Sequence, residues 1–162
     1  MKNLFLLAGI FGVFAVIAPA QDKFSTYSND RFFFSIEYPS DLLKLQPPPE
    51  NNDGATFLSS DGVEMRVWGQ YNAESKTLQE RYERDLKGFT EKPTYMALKR
   101  DWYVLSGVKD GKIFYQKTLI RRKDGDVFFT FTLEYPTIQK GKFDPVVKRI
   151  SDSFKFDPNP DA

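Results

Sequence analysis

Apolar and polar residues alternate cleanly in two stretches lying about a hundred positions apart. Phe34-Ser35-Ile36-Glu37-Tyr38-Pro39-Ser40 is echoed by Phe131-Thr132-Leu133-Glu134-Tyr135-Pro136-Thr137. Period-two alternation puts Phe, Ile/Leu and Tyr on one face and Ser/Thr and Glu on the other, as in a half-buried β-strand. A proline closes each copy, because it has no N–H to give to a ladder. Phe34, Ile36 and Tyr38 are therefore expected to share a core with Phe131, Leu133 and Tyr135, while Glu37 and Glu134 face away from it.

The same pattern orders the rest of the chain. An extended segment over 24–29 leads into a strand over 32–38, and 40–45 is short, either a helical turn or a second extended piece. Residues 46–54, QPPPENNDG, form a loop: the prolines favour polyproline geometry, and Asn52-Asp53-Gly54 is turn chemistry. Strands over 55–59 and 63–71 flank Ser60-Asp61-Gly62 as a hairpin. Thr77-Leu78-Gln79-Glu80 fits a capping box. Leu78, Tyr82, Leu86 and Phe89 follow at helical spacing, with Glu80, Arg81, Glu83, Arg84 and Lys87 on the opposite face and Gly88 as the stop.

Strands over 94–99, 102–109 and 112–122 come next. Asp110-Gly111 turns the second into the third, and a turn over 122–126 leads to a strand over 127–135. Short turns between successive strands make an antiparallel meander. A last helix is expected to take Asp144 as N-cap and Pro145 in its first turn, burying Val146, Val147, Ile150 and Phe154. Residues 102–108 are apolar on both faces, as are Phe128 and Phe129, so the sheet must be covered on both sides. The fold class is α+β, an antiparallel sheet of meander and hairpins sandwiched by helices.

Residues 1–20 read as a signal peptide. Lys2 is the basic region, 4–17 an apolar run, and Ala18-Pro19-Ala20 a small-residue cleavage site. The run is short for a span, which takes about 20 apolar residues, so no stable membrane insertion is expected after cleavage. The expected organisation is signal peptide 1–20, one domain over 21–156 and a disordered tail over 157–162. The protein is then exported, to the periplasm or the medium. Removing Lys2 leaves 22 basic and 22 acidic side chains, a balance that argues against nucleic acid as a partner.

The chain contains no histidine and no cysteine. That excludes Ser-His-Asp and Cys-His catalysis and zinc sites built on their usual ligands. No Gly-x-Ser-x-Gly or phosphate-binding glycine loop occurs either. Three constellations remain. Glu37 and Glu134, with Glu64, would serve a carboxylate-based hydrolase if their carboxyls converged. Asp53, Asp124 and Asp126 are weak calcium candidates, off the EF-hand spacing and equally at home in Asx turns. The third is an aromatic surface of Trp68, Tyr71, Trp102 and Tyr103 beside the proline loop. Trp68 falls among Glu64, Arg66 and Gln70, where a large aromatic is expected to lie under the helix or, if exposed, to anchor a partner. The partner-binding set is thus Trp68, Tyr71, Pro47, Pro48, Pro49, Asn51 and Asn52.

Three passages, RFFFSIEYPSDLL (31–43), PPPENNDG (47–54) and GKIFYQK (111–117), resemble the Mog1/PsbP-like superfamily, and its small exported bacterial members above all. The resemblance covers nearly all of the chain after residue 20. It implies an antiparallel sheet between helices and a role in binding: photosystem extrinsic subunits dock on a membrane complex, and the eukaryotic relative binds a small GTPase. Some photosystem members hold metal through histidines, a role this chain cannot inherit. The expected function is a non-enzymatic binding or accessory module at the cell envelope, with a protein partner and no cofactor; the alternatives are a carboxylate-based hydrolase on Glu37 and Glu134 and a small-ligand or calcium-binding protein.

Overall fold

The computed structural model describes residues 23–122 and 126–158. Residues 1–22, with the segment read as a signal peptide, residues 123–125, with Asp124, and residues 159–162 lie outside them. Ten strands and two helices are described: β1 (Phe24–Asn29), β2 (Phe34–Pro39), β3 (Lys44–Leu45), β4 (Gly54–Leu58), β5 (Glu64–Tyr71), α1 (Leu78–Lys87), β6 (Tyr95–Leu98), β7 (Trp102–Lys109), β8 (Lys112–Arg121), β9 (Val127–Pro136), α2 (Lys140–Ser153) and β10 (Lys155–Phe156).

The meander β6-β7-β8-β9 forms as its turns direct. Asp110 and Gly111 both take left-handed backbone (φ 49° and 74°), matching the twist of a two-residue hairpin. Beyond β9 the sheet continues through β5, β4 and β3, giving seven antiparallel strands in the order β3-β4-β5-β9-β8-β7-β6. The two echoed strands, however, do not share a sheet. β2 stands between β1 and β10 in a separate three-stranded sheet, which packs face to face on the larger one.

That packing produces the shared core expected from the echo. Phe34 and Ile36 of β2 join Phe131, Leu133 and Tyr135 of β9 in one apolar cluster, with Tyr38 against its margin. Phe34 meets the rings of Phe129 and Phe154 edge-on, with centroids 5.8 and 6.2 Å apart. Phe143, Val146, Val147, Ile150 and Phe154 close the cluster from α2. Each such side chain contributes about 1.5–3 kcal/mol by leaving water.

The opposite face of the large sheet carries a smaller cluster, Leu78, Tyr103, Leu105, Ile120 and Phe128, under α1. Phe128 and Phe129 thus point into different cores, which is why 127–135 is apolar on both faces. On the α1 face, beside Ile120 and Phe128, Thr118 and Thr130 are buried and hydrogen-bond to each other, Oγ1 to Oγ1 at 3.0 Å.

α1 begins with the expected reciprocal box: Thr77 Oγ1 accepts from the Glu80 N–H, and the Glu80 carboxylate accepts from the Thr77 N–H at 2.8 Å. α2 departs from expectation. It starts at Lys140 after a 3-10 turn (Thr137–Gln139), and Pro145 is interior. Asp144 is not its N-cap, because its carboxylate pairs with Lys140 Nζ at 2.5 Å. The earlier start buries Phe143, stacked 5.1 Å from Tyr135, and that gain outweighs one helical bond lost to proline.

Candidate functional site

The loop over 46–53 is exposed at Pro47, Pro48, Pro49, Asn51 and Asn52, yet tied down at several points. Asn52 N–H donates to Pro49 O at 2.9 Å, and Asn52 itself sits at φ 47°, which asparagine tolerates. Asn51 Nδ2 donates to the Asp53 carboxylate at 2.8 Å. The β1–β2 turn reaches across to hold the loop: buried Asn29 donates from Nδ2 to Asn52 O at 3.0 Å, and Arg31 donates to Asn51 O. Asn29 Oδ1 in turn accepts from the Phe32 N–H at 2.9 Å. Prolines and these bonds leave the loop little freedom to lose when something docks on it.

Phe32 packs on Gly69 and meets the ring of Tyr71 at 5.0 Å. Tyr71 is 58% exposed. Trp68 and Tyr71 leave β5 on opposite faces, as an odd separation along a strand requires. Trp68 lies across from Gly54, the residue that ends the loop, and Gly69 N–H donates to Asp53 O at 2.9 Å between the two aromatics. The loop therefore runs along a rim with one aromatic on each side of it. Trp68 is half-buried and belongs to neither apolar cluster. It projects from the face of the sheet that α1 covers, two positions along β5 from Gln70, to which Arg81 of α1 donates.

Trp102 and Tyr103 also separate. Tyr103 is fully buried under α1 and is no part of any surface. It belongs to a polar network hidden from the sequence pattern, which placed Arg81 on the solvent face of α1. Arg81 is instead buried: it donates to Gln70 Oε1 at 3.1 Å, lies 3.3 Å from Asp85 Oδ1, and stacks over the Phe128 ring. Asp85 Oδ2 accepts from Tyr103 Oη at 2.5 Å and from Gln116 Nε2 at 2.7 Å. An i,i+4 Arg–Asp pair beside an amphipathic stripe was the available signal.

The carboxylates do not converge. Glu37, on the small sheet, is turned to Arg149 of α2 at 2.8 Å. Glu134 projects from the other face of the large sheet, into a cleft of about 390 Å³ lined by Phe89, Lys109, Asp110, Lys112 and Phe114. The layer between them rules out joint action. Glu64 does stand opposite Glu134 on the neighbouring strand, but its carboxylate is committed to Arg66. Asp53 serves the loop, and among the described residues no three acids assemble as a metal site.

Burial perturbs three tyrosines. Desolvation, with Asp85 beside it, pushes the Tyr103 phenol far above its usual value. Desolvation and then Asp144 push Tyr135 up to about 12, and desolvation raises Tyr115. In the unfolded chain a tyrosine ionises near pH 10. Because these phenols stay protonated longer when folded, their stabilisation is complete below about pH 10 and is lost as pH climbs through the folded values. Denaturant unfolding from pH 8 to 12 should show stability falling above about pH 10. Tyr103→Phe should be less stable at pH 8 yet fall less steeply, and an unchanged slope would contradict this assignment.

With these features in place, comparison with known structures decides the fold. The solution structure of cyanobacterial PsbP (CyanoP) from Synechocystis superposes with a TM-score of 0.62, covering 90% of this chain and 99% of that one at 13% identity. The Ran-binding protein Mog1p of Saccharomyces cerevisiae gives a TM-score of 0.55, covering 84% and 96% at 9% identity. The chain has the Mog1/PsbP-like fold. A single-residue variant of Mog1 superposes likewise, at a TM-score of 0.50 and 9% identity. No family model matches the chain, and no curated protein matches it by sequence. Within the Mog1/PsbP-like frame, the proline-loop rim and the α1 network are described by this chain's own side chains.

Proposed function

We propose that this protein is an exported, non-catalytic binding module of the cell envelope that docks a protein partner along the proline-loop rim. The observation that carries the reading is the pinned loop, exposed at Pro47, Pro48, Pro49, Asn51 and Asn52, with Trp68 on one side and Tyr71 on the other. A stiff, pre-ordered segment beside partly exposed aromatics is the anatomy of a contact patch: aromatics supply anchor area, and the order already present lowers the entropic cost of docking. The residues that a histidine- or cysteine-based active site requires are absent from the sequence, and the paired-acid alternative fails on geometry. The yeast protein that shares the fold is itself a Ran-binding protein, so the fold supports protein binding in at least one setting.

The test is capture from envelope extracts with the tagged protein, comparing wild type, Trp68→Ala and a chain shortened within 47–52. Both variants should retain wild-type circular dichroism and lose at least about tenfold in recovery of the specific partner. An identical partner set at undiminished yield in both would reject the rim.

A further inference from the structure

A second concave site lies on the other side of the molecule from α1, between α2 and the sheet. It encloses about 420 Å³, within the range of about 300–1,000 Å³ typical of small-molecule pockets. Trp102, Val104 and Tyr115 form its floor, Tyr95 flanks it from the edge strand β6, and Val147 and Ser151 line it from α2. Aromatic and aliphatic groups therefore supply most of the wall.

Two ammonium groups, Lys117 and Lys148, and the carboxylates of Asp144 and Asp152 complete the lining. Lys117 is half-buried, with its Nζ 5.7 Å from the Trp102 ring centroid. Nζ donates to Ser151 O near the end of α2 at 2.6 Å. An ammonium has three N–H donors, and this is the only hydrogen bond that the Lys117 ammonium makes among the described residues. It makes no ion pair there either. The neighbouring acids are engaged: Asp152 pairs with Lys148 and Asp144 with Lys140, each at 2.5 Å. Tyr115 Oη and Ser151 Oγ satisfy each other at 3.0 Å. The lining is balanced in formal charge, Lys117 and Lys148 against Asp144 and Asp152, but with both acids held by Lys140 and Lys148, Lys117 is the lining cation without a carboxylate at ion-pair distance among the described residues.

Capping the last turn of α2 accounts for one Lys117 donor, since carbonyls there lack helical partners. It does not account for the two remaining donors or for the aromatic-walled space around them. Burial pushes the Lys117 ammonium below its usual value, partly offset by Asp152, so the charge sits where an added counter-ion would be felt strongly.

We propose that this groove binds a small organic monocarboxylate with a flat apolar body, its carboxylate on Lys117 Nζ and its body against Trp102, Val104 and Tyr115. Lys117, whose ammonium has donors to spare and no paired carboxylate, selects a carboxylate, and the aromatic floor stacks a planar apolar body. A shallower extension of about 230 Å³, lined by Ser106, Val108, Ile113 and Tyr135, continues past Val147 and leaves room for a longer body.

Calorimetric titration of the full chain with indole-3-acetate and 2-naphthoate, beside their neutral primary amides, tests the proposal. Each acid should bind at least about tenfold tighter than its amide. Lys117→Met should abolish that preference without changing amide binding, whereas Lys117→Arg should keep it. Trp102→Ala should weaken acid and amide together. The acid–amide comparison needs no variant, so a poorly folded Lys117→Met would not shield the idea. Equal affinity for acid and amide, or no acid binding tighter than about 10 mM, overturns it. Capture of the rim's partner should be unaffected by Lys117→Met, which separates failure here from failure of the rim.

Discussion

Replacing Asp85 with alanine is expected to cost about 3–5 kcal/mol of folding stability, the usual penalty for removing one partner of a buried ion pair. Asp85 is the hub of the network under α1. Without it Arg81, 8% exposed, keeps its charge and loses its counter-ion. Tyr103 and Gln116 also lose the acceptor they share, and a buried donor left unmade costs more than the bond contributed. Urea unfolding followed by circular dichroism measures the loss. A double variant with Arg81→Leu should recover part of it, because the stranded charge leaves with the side chain. A cost below about 1 kcal/mol for Asp85→Ala would mean that the network is solvated, as surface pairs are.

Gly54→Ala should be nearly as damaging, at about 3 kcal/mol, the upper end of overpacking costs. A Cβ built there falls 1.9 Å from the Val67 carbonyl oxygen and 2.7 Å from the Trp68 Cα. Both obstacles are backbone, so relief requires β4 and β5 to move apart just where the proline loop rejoins the sheet. Gly141→Ala is the control with the opposite sign. Its Cβ meets nothing within 4 Å, and alanine in a helix gains about 1 kcal/mol over glycine. Thermal melts of the two variants should shift in opposite directions. A neutral Gly54→Ala would show that β4 does not hold the close register described.

The elements were legible in the sequence where local chemistry alone decides them. Asp110-Gly111 turns the chain as its left-handed backbone demands, the Thr77–Glu80 box opens α1, and both Glu-Tyr-Pro strands stop at proline. What escaped depends on contacts between distant residues. Nothing in Phe34–Pro39 says that its neighbours are β1 and β10 rather than the meander, so the separate small sheet could not be read off. Asp144-Pro145 resembled a helix start because side-chain capping is local, while the burial of Phe143 against Tyr135 is not. Arg81 looked solvated because periodicity counts a charge as polar and cannot see Asp85, Gln70 and Phe128 around it.

The candidate sites followed the same division. Loop 46–54 was visible from composition, but its pinning by Asn29 and Arg31 is a long-range fact. That Trp68 and Tyr71 leave β5 on opposite faces follows from alternation alone, whereas the place of the loop between them depends on the Gly54–Trp68 register. The groove around Lys117 left no mark at all in the pattern, since its residues come from β6, β7, β8 and α2.

The small sheet has a consequence for how the chain acquires its structure. β10 pairs with β2 through Lys155↔Ser35 and Phe156↔Phe34, so one of its ladders joins residues some 120 positions apart. Loop-closure entropy must be met before such a contact returns anything, which raises contact order and slows folding. In a chain made from its N-terminus, β1 and β2 appear long before β10, the strand that completes their sheet. Until then Phe34 and Ile36 have no completed α2 and no β10 beside them, and the larger core stays open. The small sheet is thus wired to close only after α2 and β10 have both been made.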